Sequence, residues 1–337
     1  MRVCSTPLLR KFWYCVAPSA DLTDRPLGTR VLDQPVALWR DTDGTARAVI
    51  DRCLHRTARL SLGTVHGGNI VCPYHGWTFN GHGQCVKVPQ LVEHRPNPFG
   101  VEAYHCAERY GYVWVALEEP LFDIPAIAEF GQPGWRQVHE FHEVWNASPQ
   151  RIIENAFDPA HISFVHKDSF GRDDPSIDPF RIDDTPDGFV FTNVVKVVNA
   201  EHMKAALAMN DDETTRDSSN RFHLPFSRVG RIVYPNGLVH ILCTFLTPID
   251  DTRTRFTQFV VRNDTEADVP ADTVVAFDRQ VTREDLGILE STDPDVPLDR
   301  SEGTEVHMMS DRPGVAMRRQ LRALMQQHTP PESAAAT

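Results

Sequence analysis

The chain has 337 residues, of which 41% are hydrophobic and 24% charged, a composition typical of a soluble globular protein and long enough for two domains. It contains no apolar run near the roughly 20 residues of a transmembrane helix, and its N-terminus lacks the apolar core of a signal peptide, so we expect a cytoplasmic protein without a membrane anchor. The net charge of −12 argues against binding to nucleic acid, which requires a basic surface.

The first third of the sequence predicts short β-strands separated by turns. Apolar runs of strand composition lie at 31–39, 45–51, 69–72, 77–79, 84–88 and 111–117. Asp43-Gly44 predicts a turn between the first two runs, and Asn80-Gly81 predicts a hairpin later in this region. The last strand ends just before Pro120. We therefore place a domain boundary at residue 120.

The remainder of the sequence predicts an antiparallel sheet followed by helices. Further strand-like runs lie at 137–146, 188–198, 230–234, 238–247 and 255–261. Ser148-Pro149 is a typical start of a helix, whereas the polar run 210–220 predicts a mobile loop. Apolar residues at helical spacing predict helices over 270–290 and 310–328. The Pro- and Ala-rich tail, 329–337, is expected to be disordered.

Two short motifs each combine one cysteine with one histidine. Cys53-Leu54-His55 is followed, after sixteen residues, by Cys72-Pro73-Tyr74-His75. In Rieske [2Fe–2S] centres two histidines replace two of the four cysteine ligands, which raises the reduction potential to roughly −150 to +300 mV. This chemistry assigns Cys53 and Cys72 to one iron, and His55 and His75 to the other. A structural zinc site is the alternative, although its usual spacing separates a cysteine pair from a histidine pair.

The residues around these motifs resemble the Rieske domain of ring-hydroxylating and demethylating oxygenases. Arg56 follows the first histidine, Gly76-Trp77 follows the second, and Leu62-Gly63 lies between the two motifs. The resemblance implies a [2Fe–2S] cluster that is bound by Cys53, His55, Cys72 and His75.

A second pair of histidines follows the proposed boundary. His161 and His166 are five residues apart, and on an unbroken helix this spacing would separate their side chains by ~140°. Asp158-Pro159 supplies a break that would let both histidines reach one ion. Two histidines at this spacing are by themselves weak evidence for a metal site.

The pattern Asn155-x-x-Asp158-x-x-His161-x4-His166 resembles the catalytic-domain motif of the same oxygenase family. The resemblance implies that the two histidines bind a mononuclear Fe(II) together with one carboxylate, leaving positions open for O₂ and substrate. It identifies the carboxylate as Asp285. The alternatives on the same predicted helix are Glu284, Asp278 and Glu290.

The resemblance also implies roles for Asn155 and Asp158 in catalysis. In the family the corresponding aspartate joins an iron-binding histidine to a cluster histidine of the adjacent subunit. Asp158 would accordingly orient His161 and contact His75 of a neighbouring chain, which implies a homotrimer. The alternative is that Asp158 only caps a helix.

The resemblance covers about residues 5–325 and is nearest to the vanillate and dicamba demethylase branch. It implies an α+β protein with an N-terminal all-β Rieske domain, 1–120. A catalytic domain, 121–328, would follow, with a curved antiparallel sheet flanked by helices in a helix-grip-like arrangement.

The implied activity is that of the oxygenase component of a Rieske monooxygenase. Electrons from NAD(P)H would arrive through a separate flavin reductase, with or without a ferredoxin, because the chain lacks a dinucleotide-binding G-x-G-x-x-G motif. The iron would use O₂ to hydroxylate, or to O- or N-demethylate, a small neutral or weakly polar organic molecule. Residues 1–120 carry a net charge of +2, which favours docking of an acidic electron donor near the cluster. The basic residues around the cluster motif are Arg52, Arg56, Arg59 and Lys87.

Other functions are compatible with parts of the sequence. Within the enzyme class, the alternatives are cis-dihydroxylation of an aromatic ring and N-oxygenation of an amine. A Rieske electron-transfer protein would account for the first motif but would leave the second motif and most of the chain unexplained. A zinc-stabilised binding protein is a third class.

Overall fold

The structure is a computed structural model that describes residues 1–91, 98–299, 301, 303 and 305–328, without the side chains of His202 and Met203. The predicted disordered tail, 329–337, lies outside the described residues. None of the helices formed by the described residues has the length and apolar character needed to span a bilayer.

The N-terminal part consists of β-strands and short 3₁₀ turns. Its strands are β1 (Tyr14–Pro18), β2 (Leu27–Val31), β3 (Gln34–Arg40), β4 (Ala46–Ile50), β5 (Thr64–His66), β6 (Asn69–Val71), β7 (Thr78–Phe79), β8 (Cys85–Lys87), β9 (Ala103–Arg109) and β10 (Tyr112–Ala116). They form a six-stranded antiparallel sheet, in the order β1-β10-β9-β4-β3-β2, and a four-stranded sheet, β5-β6-β7-β8. The predicted all-β N-terminal part is therefore confirmed.

The first predicted run, 31–39, begins too early, because Val31 is the last residue of β2 and β3 starts only at Gln34. Leu32 and Asp33 have φ angles of 51° and 62°, so the chain reverses between β2 and β3. Neither residue is the glycine that this left-handed conformation favours, and so the turn had no signal in the sequence.

The C-terminal part is built on one large antiparallel sheet. Its strands are β11 (Arg136–Trp145), β12 (Phe180–Thr185), β13 (Gly188–Val198), β14 (Glu213–His223), β15 (Ser227–Val233), β16 (Val239–Pro248) and β17 (Thr254–Arg262). Their order is β11-β17-β16-β15-β14-β13-β12. The helices are α1 (Pro149–Asn155), α2 (Ile162–Val165), α3 (Glu201–Leu207), α4 (Ala271–Leu289) and α5 (Arg312–His328). An antiparallel sheet accompanied by helices confirms the predicted α+β class.

The prediction of a mobile loop over 210–220 was wrong, because most of this run belongs to β14. Successive side chains of a strand point to opposite faces, and here both faces are polar. Thr214, Arg216 and Asn220 are buried on the inner face, whereas Glu213, Thr215 and Asp217 are exposed. A strand without an apolar face gives no alternating hydrophobic signal.

The two parts of the chain share their hydrophobic core. The largest buried cluster combines residues of the N-terminal part, such as Leu9 and Val36, with Phe256 of the large sheet. A second cluster brings Trp114 against Phe245, with ring centres 4.8 Å apart. Residue 120 lies in the segment between β10 and β11, but the packing is continuous across that point.

A buried ion-pair network joins α1 to α5. Arg318 donates two hydrogen bonds of 2.7 Å to the carboxylate of Glu154, and its guanidinium also binds Glu305. The side chain of Arg318 is 5% exposed and that of Glu154 is 15% exposed. Since α1 leads directly into the segment that carries His161 and His166, this network fixes the start of that segment.

We expect Arg318→Met to destabilise the protein by about 3 to 5 kcal/mol, because it leaves the buried carboxylate of Glu154 without a cation. The measurement is chemical denaturation monitored by far-UV circular dichroism. Arg319→Met, at the next residue, is the matched control. The side chain of Arg319 is 61% exposed and pairs with the exposed Asp184, so its loss should cost less than about 1 kcal/mol. Equal stabilities of the two variants would contradict the assignment.

Candidate metal centres

The two Cys-His motifs lie on loops with the same backbone hydrogen bonds. In the first loop, the Cys53 amide donates to Ala58 O and Cys53 O accepts from Thr57 N; in the second, the Cys72 amide donates to Trp77 O and Cys72 O accepts from Gly76 N. The fourth residue after each cysteine has a positive φ, 59° at Thr57 and 73° at Gly76. The two loops are therefore repeats of one conformation, each presenting one thiol and one imidazole.

The two imidazoles of these loops are neighbours, and so are the two thiols. The rings of His55 and His75 are 4.5 Å apart, and His55 stacks on Trp77. His55 Nδ1 is buried without a hydrogen-bond partner. Burial and the adjacent Cys72 thiol raise the pKa of Cys53 to about 11, whereas partial desolvation and the neighbouring His75 lower the pKa of His55. A neutral imidazole is the form that binds metal.

The spacing of these side chains fits a two-iron cluster better than a single ion. Ligand atoms around one tetrahedral zinc lie within about 4 Å of one another. Among the described residues, no three ligand atoms of Cys53, His55, Cys72 and His75 converge within such a distance. A [2Fe–2S] cluster instead takes two pairs of ligands, one on each iron, and these loops offer one pair of thiols and one pair of imidazoles.

The second histidine pair flanks a short helix that follows a break in the helical structure. Helix α1 ends at Asn155, and α2 covers only Ile162–Val165, so that His161 precedes α2 and His166 follows it. Asp158 accepts a hydrogen bond from Ala160 N in the intervening turn. This break confirms the predicted interruption, and it brings the Nε2 atoms of the two histidines to 3.2 Å.

Asp285 completes a group of three ligand atoms. Its Oδ1 lies 3.6 Å from His161 Nε2 and 3.4 Å from His166 Nε2, and these three residues form the one group that could hold a single metal ion among the described residues. A point equidistant from the three atoms lies about 2 Å from each, the length of a metal–ligand bond. Asp285 Oδ1 is buried without a hydrogen-bond partner. The donor set therefore fits a mononuclear iron.

The three other acidic residues considered on the same helix have different partners. Glu290 accepts hydrogen bonds from Asn146, and Asp278 faces His240, with Oδ2 and Nε2 3.3 Å apart. Glu284 lies against His166 Nδ1 at 2.7 Å and accepts a hydrogen bond from Ser169 Oγ at 2.7 Å. Glu284 was considered only as an alternative ligand, so its contact with the far nitrogen of His166 was missed.

The site carries a negative charge that suits a cation. Burial lowers the pKa of His166, but Asp285 and Glu284 outweigh burial and raise it above its usual value. The same two carboxylates would favour a divalent metal in place of that proton. The carboxylate beside the far nitrogen of His161 is more distant, with Asp158 Oδ2 3.5 Å from His161 Nδ1.

A cavity of ≈200 Å³ opens onto this site. One wall is α4, which presents Asp278, Val281, Thr282, Asp285 and Leu289 at helical spacing, and the other is the inner face of the large sheet. Asn155 and Asp158 also line the cavity. Near the cluster loops, Arg52, Arg56 and Lys87 are exposed, and the exposed Arg59 pairs with the buried Asp51.

Comparison with known protein families identifies both parts. Residues 12–105 match the Rieske [2Fe–2S] domain, and residues 145–327 match the vanillate O-demethylase oxygenase C-terminal domain. The chain is 29% identical to methylxanthine N1-demethylase of Pseudomonas putida, over 95% of this chain and 90% of the relative. It is 36% identical to the oxygenase component of dicamba O-demethylase of Stenotrophomonas maltophilia, over 49% and 51% of the two chains.

Solved structures with the same architecture support these matches. The Pseudomonas putida CBB5 NdmA structure with caffeine has a TM-score of 0.80 at 27% identity and covers 95% of this chain and 92% of its own. Dicamba monooxygenase bound to dicamba has a TM-score of 0.79 at 24% identity, with coverages of 95% and 98%. Because its identity is below 25%, the similarity to dicamba monooxygenase supports the fold alone.

We expect Glu284→Gln to weaken metal binding at the mononuclear site at least about 10-fold, because outer carboxylates that hold a ligating histidine contribute on this scale. The measurement is iron content after dialysis against a chelator, with the visible absorption of the cluster as an internal reference. Glu290→Gln, at the end of the same helix, should retain iron like the unaltered protein. Full retention of iron by Glu284→Gln would contradict the role given to Glu284.

Proposed function

The chain belongs to the vanillate O-demethylase oxygenase family of Rieske non-haem iron oxygenases, and we propose that it hydroxylates, or oxidatively O- or N-demethylates, a small organic molecule. As a member of this family it is an oxidoreductase that uses a Rieske [2Fe–2S] cluster, a mononuclear iron and O₂. The enzyme class and the cofactors predicted from the sequence are thereby confirmed. The observation that carries the proposal is the meeting of His161, His166 and Asp285 at the end of an internal cavity.

We assign the ligands residue by residue. Cys53 and Cys72 would bind one iron of the cluster and His55 and His75 the other, while His161, His166 and Asp285 would bind the mononuclear iron. When bound, the mononuclear iron supplies the reductive activation of O₂ and the oxidation of a substrate C–H bond. Two histidines and one carboxylate leave coordination positions free for this chemistry.

The other residues of the site hold the ligands in place and exclude water. Glu284 would fix the ring of His166 through its Nδ1, as a carboxylate commonly does for a metal-binding histidine. Phe170 stacks on the same ring with centres 4.6 Å apart, which shields it from solvent. Asn155 lines the cavity beside the site and is a candidate for contact with substrate or with bound oxygen.

Asp158 is proposed to connect the two kinds of metal centre between subunits. Its carboxylate lies 3.5 Å from His161 Nδ1 and is 31% exposed, so it can contact a second group from outside the chain. We propose that this group is His75 of a neighbouring subunit in a homotrimer. Exposed apolar side chains beside the cluster loops support an interface there: Leu62 is 68% and Tyr74 is 64% exposed.

The oxygenase would receive its electrons from a separate protein. A separate flavin reductase, with or without a ferredoxin, would supply electrons from NAD(P)H, and the exposed Arg52, Arg56 and Lys87 would favour an acidic donor.

We propose a Rieske domain over 1–120 and a catalytic domain over 121–328. A cytoplasmic location agrees with cysteines that remain available to iron in a reducing compartment.

The proposed function predicts about three irons per chain, two in the cluster and one at the mononuclear site. His161→Ala should reduce this to about two, keep the visible absorption of the cluster, and abolish turnover. Turnover is measured with a surrogate reductase on methoxylated, N-methylated and alicyclic compounds, with formaldehyde and product mass as readouts. An unaltered protein that holds only two irons, or a His161→Ala variant that still turns over, would overturn the proposal.

The proposed role of Asp158 predicts that Asp158→Asn keeps both metal centres but loses at least about 100-fold in turnover, because the neutral amide removes the charged link between the two histidines. Iron content and cluster absorption should match those of the unaltered protein. Asp168→Asn, at an exposed position nearby, is the control. Normal turnover by Asp158→Asn would show that Asp158 serves only to shape the turn.

A further inference from the structure

The polar inner face of β14 contains an arginine without a counter-ion. Among the described residues three arginines are buried, and two of them are paired: Arg262 with Asp264, and Arg318 with Glu154. Arg216 is 8% exposed, and its Nε and Nη2 atoms are buried with no hydrogen-bond acceptor. A buried charge without a partner is costly, so this guanidinium requires an explanation.

Two aromatic rings position this guanidinium inside the cavity. Its central carbon lies 4.6 Å from the ring centre of Phe170 and 5.4 Å from that of Tyr234, distances at which a ring stabilises a cation. Phe170 also stacks on His166, with ring centres 4.6 Å apart. The guanidinium therefore lies at most about 9 Å from the centre of a proposed metal-binding ring, a span comparable to one substituted aromatic ring.

A second arginine lies on the neighbouring strand and lines the same cavity. Arg228 donates from Nε to Asn220 Oδ1 at 2.8 Å, and no ion pair involving it is found in the part of the chain that the structure describes. Burial lowers its pKa to about 10, which still leaves it charged at neutral pH. Gly230 makes room for it, because a Cβ at that position would lie 2.8 Å from Arg228 Nε.

The acidic residues of the cavity form no ion pair with either arginine among the described residues, although Asp285 and Asp278 lie near enough to Arg228 to attract its charge. Asp285 belongs to the proposed iron site, and Asp278 faces His240. Among the described residues, the cavity therefore holds two arginines that form no ion pair with a carboxylate.

We propose that Arg216, assisted by Arg228, binds an anionic oxygen group of the substrate, a carboxylate or a sulfonate. A planar guanidinium with free N–H groups matches such a group through paired, charge-assisted hydrogen bonds. The opposite end of the substrate would lie toward His161 and His166. This inference rests on the proposed function, and it replaces the neutral substrate expected from the sequence with an anionic one.

The test is equilibrium binding to the iron-loaded protein by calorimetry, without reductant and without oxygen. The probes are benzoate with benzamide, and benzenesulfonate with benzenesulfonamide, two pairs that differ mainly in charge. We expect the anion of at least one pair to bind about 10-fold or more tightly than its neutral partner. The pair that shows the preference distinguishes carboxylate from sulfonate recognition.

Arg216→Gln should remove this preference by weakening anion binding about 10- to 100-fold, with the neutral probe changed less than about 3-fold. Lys196→Gln removes the same charge from an exposed position of the adjacent β13, and it should keep the preference. If Arg216→Gln fails to fold, Arg228→Gln replaces it and should lower the preference.

No preference for an anion in the unaltered protein, or a preference that survives Arg216→Gln, would overturn the assignment. The second outcome would mean that a group other than Arg216, such as the iron, binds the anion. Because binding is measured without turnover, a negative result leaves the proposed oxygenase function untouched. Failure of that function would appear instead as only two irons in the unaltered protein, or as turnover by His161→Ala.

Discussion

The structure depends on bringing three ligand atoms from two distant segments to within 3.6 Å of one another. Two of these atoms lie on either side of a four-residue helix, and the third lies on α4, more than a hundred residues later. Several features of the fold hold these three atoms close together. The chain breaks after α1, Arg318 anchors α1 to α5, and Glu284 and Ser169 hold His166 from behind. Each restricts one segment, so that the three atoms meet without relying on the metal alone.

The same arrangement separates two chemical environments within one cavity. Near the ligands, the carboxylates of Asp285 and Glu284 favour a cation, as the raised pKa of His166 shows. On the wall formed by the large sheet, Arg216 and Arg228 supply positive charge, and neither forms an ion pair among the described residues. A cavity that holds groups of opposite charge can orient a small molecule before any reaction, because each group binds only one kind of partner.

The sequence was sufficient for the features that depend on residue type and spacing. The Cys-His motifs, the histidine pair and the break at Asp158-Pro159 could be identified because their chemistry is local. It was not sufficient where the decisive partner lies far away in the chain. Residue type and spacing could not distinguish the adjacent and chemically similar Glu284 and Asp285, and the choice of Asp285 came from the family resemblance. The orientation of α4 places Asp285 beside both histidines and Glu284 on the far side of His166, a contact that the sequence did not indicate. The polar strand β14 was missed for a related reason: its inner face is polar because it lines a charged cavity, and that cavity exists only in the folded protein.

The continuous core between the two parts of the chain limits how this protein can be recombined with its relatives. Leu9 and Val36 share a buried cluster with Phe256, and Trp114 packs against Phe245. The backbone amide of Leu32 also donates to Pro248 O. A chimera joined at residue 120 would therefore combine two half-cores that were never fitted to each other. Exchange of the electron-transfer part between homologous enzymes would have to carry along the facing residues of β16 and β17. An exchangeable unit of this fold therefore consists of one part of the chain together with the residues of the other part that pack against it.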